Sequence, residues 1–371
     1  MEYSIVAGKQ AISNYWHVIS PDLQPMFSSL GYTINWTQLL DTGGTIFSDS
    51  LFQIKNAVSE RELPTLLYDK VKDVEGGEED SLSLYKAKLT MPFAVQINTA
   101  SLAASADKFT AQNDLFRAVS GVEQPLITDV SSQINNGMIS LAVTGGKKVI
   151  YFYGTNTGEN PVTVYVDGQP VKIPASSYYE NEQYPNDFCN GLVCLGAFEN
   201  QNVLIQFATG APVTDLHVGV LDYTLLEQTA SRLNTTGMQV ENLKQKHSGA
   251  TFDVKNAEKG TIFIPVPFDK NWICRVNGEN VSDQVTSIDG MMGIPVAEGT
   301  NTISIKYQAE GRVQGGIITF AALLICCSVW LLNRRGFFER HTKNVQEAAA
   351  WIVFAVFIAA CIVFVFAMFV I

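Results

Sequence analysis

Aromatic and polar side chains that could bind a carbohydrate cluster near the beginning of the chain. Tyr15 and Trp16 are adjacent, and Trp36 and Asp41 follow within a short stretch of sequence. Aromatic rings offer large apolar faces, and a carboxylate accepts hydrogen bonds from hydroxyl groups, so this mixture is typical of carbohydrate-handling surfaces. The pattern makes Tyr15, Trp16, Trp36 and Asp41 candidate carbohydrate-binding residues. Packing in a hydrophobic core would explain the three aromatics equally well.

No catalytic residue, metal site or cofactor is predicted from the sequence. The chain contains no G-x-S-x-G elbow, no P-loop and no G-x-G-x-x-G motif after a strand. Cys189 and Cys194 are close enough in sequence to allow a disulfide bridge, but the other cysteines form no disulfide framework. The histidines are scattered without metal-ligand spacing, and they are His17, His217, His247 and His341.

Length and composition indicate a globular chain with an added apolar element. At roughly 150 residues per domain, 371 residues allow two or three domains. The chain is 47% hydrophobic and 16% charged, and its formal net charge is −11. Because an acidic surface repels phosphate backbones, no nucleic-acid partner is predicted.

The middle of the chain predicts tandem β-sandwich or jelly-roll-like units. Short runs rich in Val, Ile and Tyr alternate with Gly, Asn and Asp from about residue 138 onward. The sequence "VTVYVDGQPVKI" (162–173) also matches "NWICRVNGENVS" (271–282), with Asp-Gly in one copy over Asn-Gly in the other. We therefore predict one unit over residues 126–235, ending in a helix near 221–233, and a second over 236–312. Each unit should contain a tight hairpin. Trp272 is expected in the core of its unit, with a sugar platform as the alternative.

Residues 1–125 are less regular and predict an α+β segment. A short helix should start after Ser20-Pro21-Asp22 and end at Gly31, and a second helix should span 112–119. Strands are expected around "SLFQIKNAVS" (50–59) and "LSLYKA" (82–87).

Two long uncharged runs near the end of the chain predict a pair of transmembrane helices. Residues 315–332 and 348–371 carry no charged side chain. At about 1.5 Å per residue, each is long enough to cross a hydrocarbon core of about 30 Å. We assign the spans to 313–333 and 347–371, with the lipid bilayer as partner. Burial inside a soluble core is the alternative.

The loop between the predicted spans indicates the orientation. Residues 334–346 contain "RRGFFERHTK", and such a concentration of basic residues favours the cytoplasmic side. Residues 1–312 would then be extracytoplasmic, although the N-terminal sequence has no apolar run that could serve as a signal peptide. We therefore expect further membrane spans upstream, in the same protein or in the product of an adjacent gene.

Several motifs in order resemble the bacterial YfhO family of membrane proteins. They are "GTIFSDSLFQIKNAVS" (44–59), "LYKAKLTMPFAVQIN" (84–98), "FTAQNDLFRAVSG" (109–121), "VPFDKNWICRVNGENV" (266–281) and "GIPVAEGTNTISIKYQAEG" (293–311). The resemblance runs from about residue 12 to 332 and corresponds to the C-terminal half of that family. It implies a multi-pass bacterial cell-membrane protein related to glycosyltransferases that use lipid-linked sugars, with a cell-wall polymer such as lipoteichoic acid as acceptor. The membrane portion that would hold the catalytic groups has no counterpart here, so the resemblance assigns no catalytic residue.

Two functional hypotheses follow. In the first, the chain is the extracytoplasmic portion of a membrane glycosyltransferase and positions the acceptor or braces the membrane domain. In the second, it is a non-enzymatic, membrane-anchored binding or assembly module.

Overall fold

The computed structural model describes most of the chain up to the first apolar helix. The described residues are 14–15, 23–34, 38–59, 62–75, 81–102, 107–156, 162–173, 191–208, 213–246, 248–309, 311–334 and 351. Two compact units are recognised. The first comprises residues 1–246, 250–269 and 274–304, and the second comprises 247–249, 270–273 and 305–371.

The described residues are mainly β-strand, as predicted. The helices are α1 (Leu23–Ser29), α2 (Ile46–Leu51), α3 (Lys108–Ser120), α4 (Tyr223–Thr235) and α5 (Arg312–Arg334). Short 3-10 helices cover Thr99–Ser101, Ser131–Gln133 and Ser282–Gln284. The strands are β1 (Asn14–Tyr15), β2 (Tyr32–Ile34), β3 (Gln38–Gly43), β4 (Asn56–Ser59), β5 (Tyr68–Glu75), β6 (Ser81–Ala87), β7 (Val95–Ile97), β8 (Ile127–Asp129), β9 (Met138–Asn156), β10 (Val162–Val166), β11 (Gln169–Ile173), β12 (Val193–Phe207), β13 (Val213–Asp222), β14 (Gln239–Lys246), β15 (Gly249–Ala257), β16 (Gly260–Pro267), β17 (Trp272–Val276), β18 (Glu279–Asn280), β19 (Thr286–Ile288), β20 (Met291–Val296) and β21 (Gly299–Tyr307).

The largest sheet has the strand order β11-β10-β12-β9-β13-β8. The other sheets have the orders β14-β15-β21-β17-β18, β19-β20-β16-β7, β4-β6-β5 and β1-β3-β2. All pairings for which the register is defined are antiparallel, which suits short connections and hairpins.

Two hydrophobic cores lie on opposite faces of the six-stranded sheet. Strand β9 shows the alternation: Val149 and Tyr151 join the core under helices α1 to α4, whereas Ile150 and Phe152 join the second core. Successive side chains of a strand point to opposite faces, so the stretch 149–152, which is buried on both faces, is apolar throughout. The first core draws residues from both sides of position 125. The predicted boundaries of the domains and the sandwich arrangement stay predictions.

The helices near 112–119 and 221–233 are confirmed, with ends displaced by a few residues. Asp107 caps α3 by accepting a hydrogen bond from Thr110 N, and Gly121 ends the helix in the left-handed region at φ 67°. Asp222 caps α4 in the same way through Leu225 N. The predicted helix after residue 22 is α1, which Gly31 follows at φ +81°.

One predicted strand is wrong over part of its length. The stretch 50–59 was expected to be extended, but Ser50 and Leu51 end helix α2, and only Asn56–Ser59 is a strand. The cause is a capping box, in which Thr45 and Ser48 each accept a hydrogen bond from the other's backbone N–H. The strand predicted at 82–87 is confirmed as β6.

The paired hairpin turns have equivalent settings. Asp167-Gly168 joins β10 to β11, and Asn277-Gly278 joins β17 to β18, with all four residues at positive φ. Asp167 exchanges hydrogen bonds with Leu204, its N–H donating to the carbonyl and its side chain accepting from the N–H, both at 2.8 Å. Asn277 makes the same two bonds with Thr302, also at 2.8 Å. The internal repeat therefore extends to the bonds that hold each turn.

Helix α5 is the candidate membrane span. Its window Gln314–Leu331 has a mean hydropathy of 1.9 and is long and apolar enough to cross a membrane. The predicted loop at 334–346 and the second span at 347–371 lie almost wholly outside the described residues, as does Cys189, and the statements about them stay predictions.

Trp272, expected in the core with a sugar platform as the alternative, is half-buried. The Tyr307 ring packs edge-on against it, with 5.1 Å between the ring centroids. Its surroundings are therefore intermediate between a buried core position and an exposed platform.

Candidate functional site

Two of the four predicted carbohydrate-binding residues lie on paired strands. Tyr15 lies in β1 and pairs with Gln38 of β3, the strand that also contains Asp41. Trp16 and Trp36 lie outside the described residues. The assignment of these four residues to acceptor binding stays a prediction.

The chain segment next to this small sheet is packed backbone against backbone. The Gly31 carbonyl accepts hydrogen bonds from the N–H groups of Gly44 and Leu192, both at 2.7 Å. A Cβ on Gly43 would lie 2.2 Å from the Gly31 carbonyl oxygen, so only glycine allows this approach. Tyr32 follows Gly31 in the sequence and pairs with Gly43 across the sheet, so this close packing fixes its position.

A carboxyl group surrounded by tyrosines lies beside this segment. The Tyr32 hydroxyl donates to Asp49 Oδ1 at 2.7 Å. Burial raises the carboxyl pKa of Asp49 to about 7, although the hydrogen bond from Tyr32 opposes the rise. Burial also raises the pKa values of Tyr32, Tyr68 and Tyr151, so these hydroxyls stay protonated donors at neutral pH.

Helix α2, which contains Asp49, is held by buried hydrogen bonds. Thr45 Oγ1 donates to Gln112 Oε1 at 3.0 Å, and Gln112 Nε2 donates to the Leu30 carbonyl at 2.7 Å. The Tyr151 hydroxyl accepts from Ile46 N at 3.0 Å. Because both polar ends of Gln112 have partners inside the fold, this network serves to position α2 against α3 and β9.

A second polar group joins three distant parts of the sequence: Asp107 before α3, Asp129 at the end of β8 and His217 in β13. One ligand atom from each lies within 4.8 Å of the others. His217 Nδ1 is 3.9 Å from Asp129 Oδ2. We call these three residues the Asp-Asp-His cluster.

A β-bulge sets the direction of His217. Thr214 pairs with Thr155 and His217 with Tyr153, so β13 has one more residue than β9 over this interval. Asp215, inside the bulge, adopts φ 49°. Alternation along the strand puts His217 on the same face as Gly219 and Leu221, and without the extra residue of the bulge all three side chains would lie on the opposite face. That face adjoins α3, since a Cβ on Gly219 would lie 2.6 Å from the Phe109 ring.

The cluster is oriented by neighbouring groups. The rings of Tyr153 and His217 are stacked, with centroids 4.5 Å apart and planes inclined by 5°. The Tyr153 hydroxyl donates to Asp107 Oδ2 at 2.6 Å, and the backbone N–H of Ser131 donates to Asp129 Oδ1 at 2.7 Å. Burial alone would raise the Asp107 pKa, but the hydrogen bonds from Tyr153 and Thr110 outweigh it and hold the pKa below its ordinary value. Asp107 is therefore a carboxylate at neutral pH.

A comparison with protein families tests the resemblance to the YfhO family that the motifs suggested. The family of the bacterial membrane protein YfhO matches residues 2–319. The chain belongs to the YfhO family. The match begins before β1 and ends inside α5, so both polar clusters of this YfhO protein lie within it. A search of curated proteins found no match.

Family membership and the apolar helix agree on a bacterial membrane protein. The sequence revealed neither polar cluster of YfhO as a site. Asp49 lies in a stretch predicted as part of the α+β segment, with no signal that it would be surrounded by tyrosines. The Asp-Asp-His cluster has no local spacing to recognise, because strand pairing and a bulge create it.

Proposed function

We propose that this chain is the extracytoplasmic and membrane-anchoring portion of a glycosyltransferase-like protein of the bacterial cell envelope. Its β-rich part positions a cell-wall polymer, such as lipoteichoic acid, to accept a sugar from a lipid-linked donor, or braces the membrane domain that carries out the transfer. The observation that supports the proposal is the family match, which covers the β-rich residues and ends inside α5.

The chemistry of the transfer divides the work between two portions. Moving a glycosyl group from a lipid phosphate requires a general base for the acceptor hydroxyl and a positive group or metal near the departing phosphate. Residues 315–332 of α5 carry no charge and offer neither at membrane depth. The catalytic groups then belong to a partner portion with many membrane spans, upstream in the same protein or encoded by an adjacent gene.

The role proposed for this chain is to hold the acceptor polymer in position for the transfer. Holding an acceptor at the correct position converts an encounter of two molecules into a reaction within one complex, which lowers a barrier by up to roughly 7–11 kcal/mol. The predicted residues for this role are Tyr15, Trp16, Trp36 and Asp41. Two of them lie on the paired strands β1 and β3.

Reconstitution in detergent tests the proposal. The purified chain, given lipid-linked sugars and membrane acceptors, should show no turnover alone. It should restore transfer when mixed with the separately expressed membrane spans. Replacing Trp16 and Trp36 with Ala should weaken the restored activity by raising the acceptor KM.

Two outcomes would contradict it. Turnover by the chain alone, abolished by Asp41→Asn or Asp49→Asn, would place a catalytic site within these residues. Full transfer by the membrane spans without the chain would favour the alternative of a non-enzymatic binding or assembly module.

A further inference from the structure

We propose that the Asp-Asp-His cluster binds a divalent transition-metal cation, with one ligand atom each from Asp107, Asp129 and His217. This inference is independent of the proposed glycosyl transfer, because it rests only on residues of the first compact unit. Nothing in the family match assigns a metal to these positions.

The distances are close to those of a metal site. In tetrahedral zinc sites with bonds of about 2.1 Å, ligand atoms lie about 3.4 Å apart. His217 Nδ1 and Asp129 Oδ2 are 3.9 Å apart, and one ligand atom from each of the three residues lies within 4.8 Å of the others. Small rotations of the two carboxylates, whose terminal torsions are soft, would close these gaps.

His217 Nδ1 is a buried polar atom without a hydrogen-bond partner in the described structure. A polar atom buried without a partner costs roughly 1–3 kcal/mol, and such atoms are rare in folded proteins. A cation bound at Nδ1 would remove this penalty. The side chains of His217 and Asp129 are 36% and 46% exposed overall, so the cluster borders the protein surface.

The surrounding groups hold the ligands as metal sites require. One oxygen of Asp129 accepts hydrogen bonds from the backbone and hydroxyl of Ser131, which directs the other towards His217. Tyr153 contacts two ligands at once, through its hydroxyl to Asp107 and its ring face to His217. Outer groups of this kind fix the orientation of ligands and tune their affinity for a metal.

The ligand types indicate which cation is bound. Two carboxylates and one neutral imidazole carry a charge of about −2, which attracts a divalent ion. The Lys108 ammonium, 5.5 Å from the centre of the Tyr153 ring, offsets part of this charge. The imidazole nitrogen suits Zn²⁺ and the two carboxylates also suit Mn²⁺, whereas Ca²⁺ and Mg²⁺ prefer oxygen ligands alone. The alternative is an ion pair between a protonated His217 and the two carboxylates. The same small rotations would bring Nδ1, 3.9 Å from Asp129 Oδ2, within hydrogen-bond distance of the carboxylate, so metal titration has to distinguish the two arrangements.

Calorimetric titration of the full chain tests the inference. The protein is purified in detergent with a tag that contains no histidine, stripped with EDTA, and titrated with Zn²⁺, Mn²⁺, Ca²⁺ and Mg²⁺. We expect one site per chain for Zn²⁺ or Mn²⁺ and weaker binding of the other two. Tyr153→Phe keeps the ring stacking but removes the hydroxyl, and should weaken binding by about 10–100-fold. His217→Ala and Asp129→Asn should weaken it at least as much.

The matched control is Asp283→Asn, which removes an exposed carboxylate that belongs neither to the cluster nor to the bulge. This variant should bind the metal as wild type does. Thermal unfolding in EDTA checks that all variants are folded. Equal metal affinity in wild type and folded His217→Ala, or no saturable binding by the wild-type chain, would overturn the inference.

Discussion

Asp49 links the protonation of a single residue to the stability of the fold. Burial raises its carboxyl pKa to about 7, whereas the same group in an unfolded chain ionises near pH 4. Between these values the folded chain holds a proton that the unfolded chain lacks. The free energy of unfolding therefore falls as pH rises through this window, by up to roughly 1.4 kcal/mol per pH unit.

Asp49→Asn should remove this dependence. Asparagine keeps an oxygen that accepts from the Tyr32 hydroxyl, but it remains neutral at every pH. The variant should approach wild type in stability near pH 4 and exceed it at pH 8 by up to about 4 kcal/mol, because the window spans about three pH units. Thermal unfolding midpoints from pH 4.5 to 8 measure the effect. Asp283→Asn, at an exposed position, is the control and should show no gain at pH 8. A wild-type profile that rises between pH 5 and 7 would contradict the prediction.

At the scale of elements, the two hairpin turns allow a paired test. Gly168 and Gly278 adopt φ 77° and 86°, and a Cβ added to either would meet no atom within 4 Å. The penalty of an alanine there is backbone strain alone, about 1–2 kcal/mol. Gly168→Ala and Gly278→Ala should therefore lower the free energy of unfolding by similar amounts.

The control for this pair is Gly260→Ala, at a position outside the left-handed region. A Cβ on Gly260 would approach only the flexible end of Gln96, at 3.0 Å, so little change is expected. Denaturant or thermal unfolding of the three variants measures the differences. Losses at Gly168 and Gly278 that differ by more than about 2 kcal/mol would argue against equivalent turns.

Elements with strong local signals could be predicted from the sequence, and those set by distant contacts could not. Gly121 marks the end of α3, and the Asp-Gly and Asn-Gly pairs mark two hairpins, so these needed no tertiary information. The start of α3 was predicted four residues late, because the cap at Asp107 was not recognised. Helix α2 was missed because its capping box uses a serine in place of Glu or Gln, and its position depends on Gln112 of α3. The bulge at Asp215, which directs His217 into the Asp-Asp-His cluster, leaves no pattern that sequence periodicity detects.

At the scale of the whole molecule, the exposed apolar surface of α5 favours a lipid bilayer over water. Large apolar side chains along it are exposed, including Phe320 at 65% and Trp330 at 59%. Exposure of so many apolar groups on one helix is unfavourable in water but favourable in a bilayer. The Arg334 guanidinium lies 5.5 Å from the centre of the Trp330 ring, an arrangement suited to the membrane interface at the end of a span.

The orientation of the chain in the membrane gives a final prediction. The loop 334–346 carries basic residues, and positive residues in short loops favour the cytoplasmic side. In a variant without native cysteines, a cysteine at Thr342 should therefore resist a membrane-impermeant thiol reagent in intact cells. One at Ser248, an exposed position of the β-rich portion, should react. Permeabilised cells provide the control, because both cysteines should then be labelled. Labelling of Thr342→Cys but not Ser248→Cys in intact cells would reverse the orientation, place residues 1–312 in the cytoplasm, and remove the acceptor polymer from reach of Tyr15, Trp16, Trp36 and Asp41.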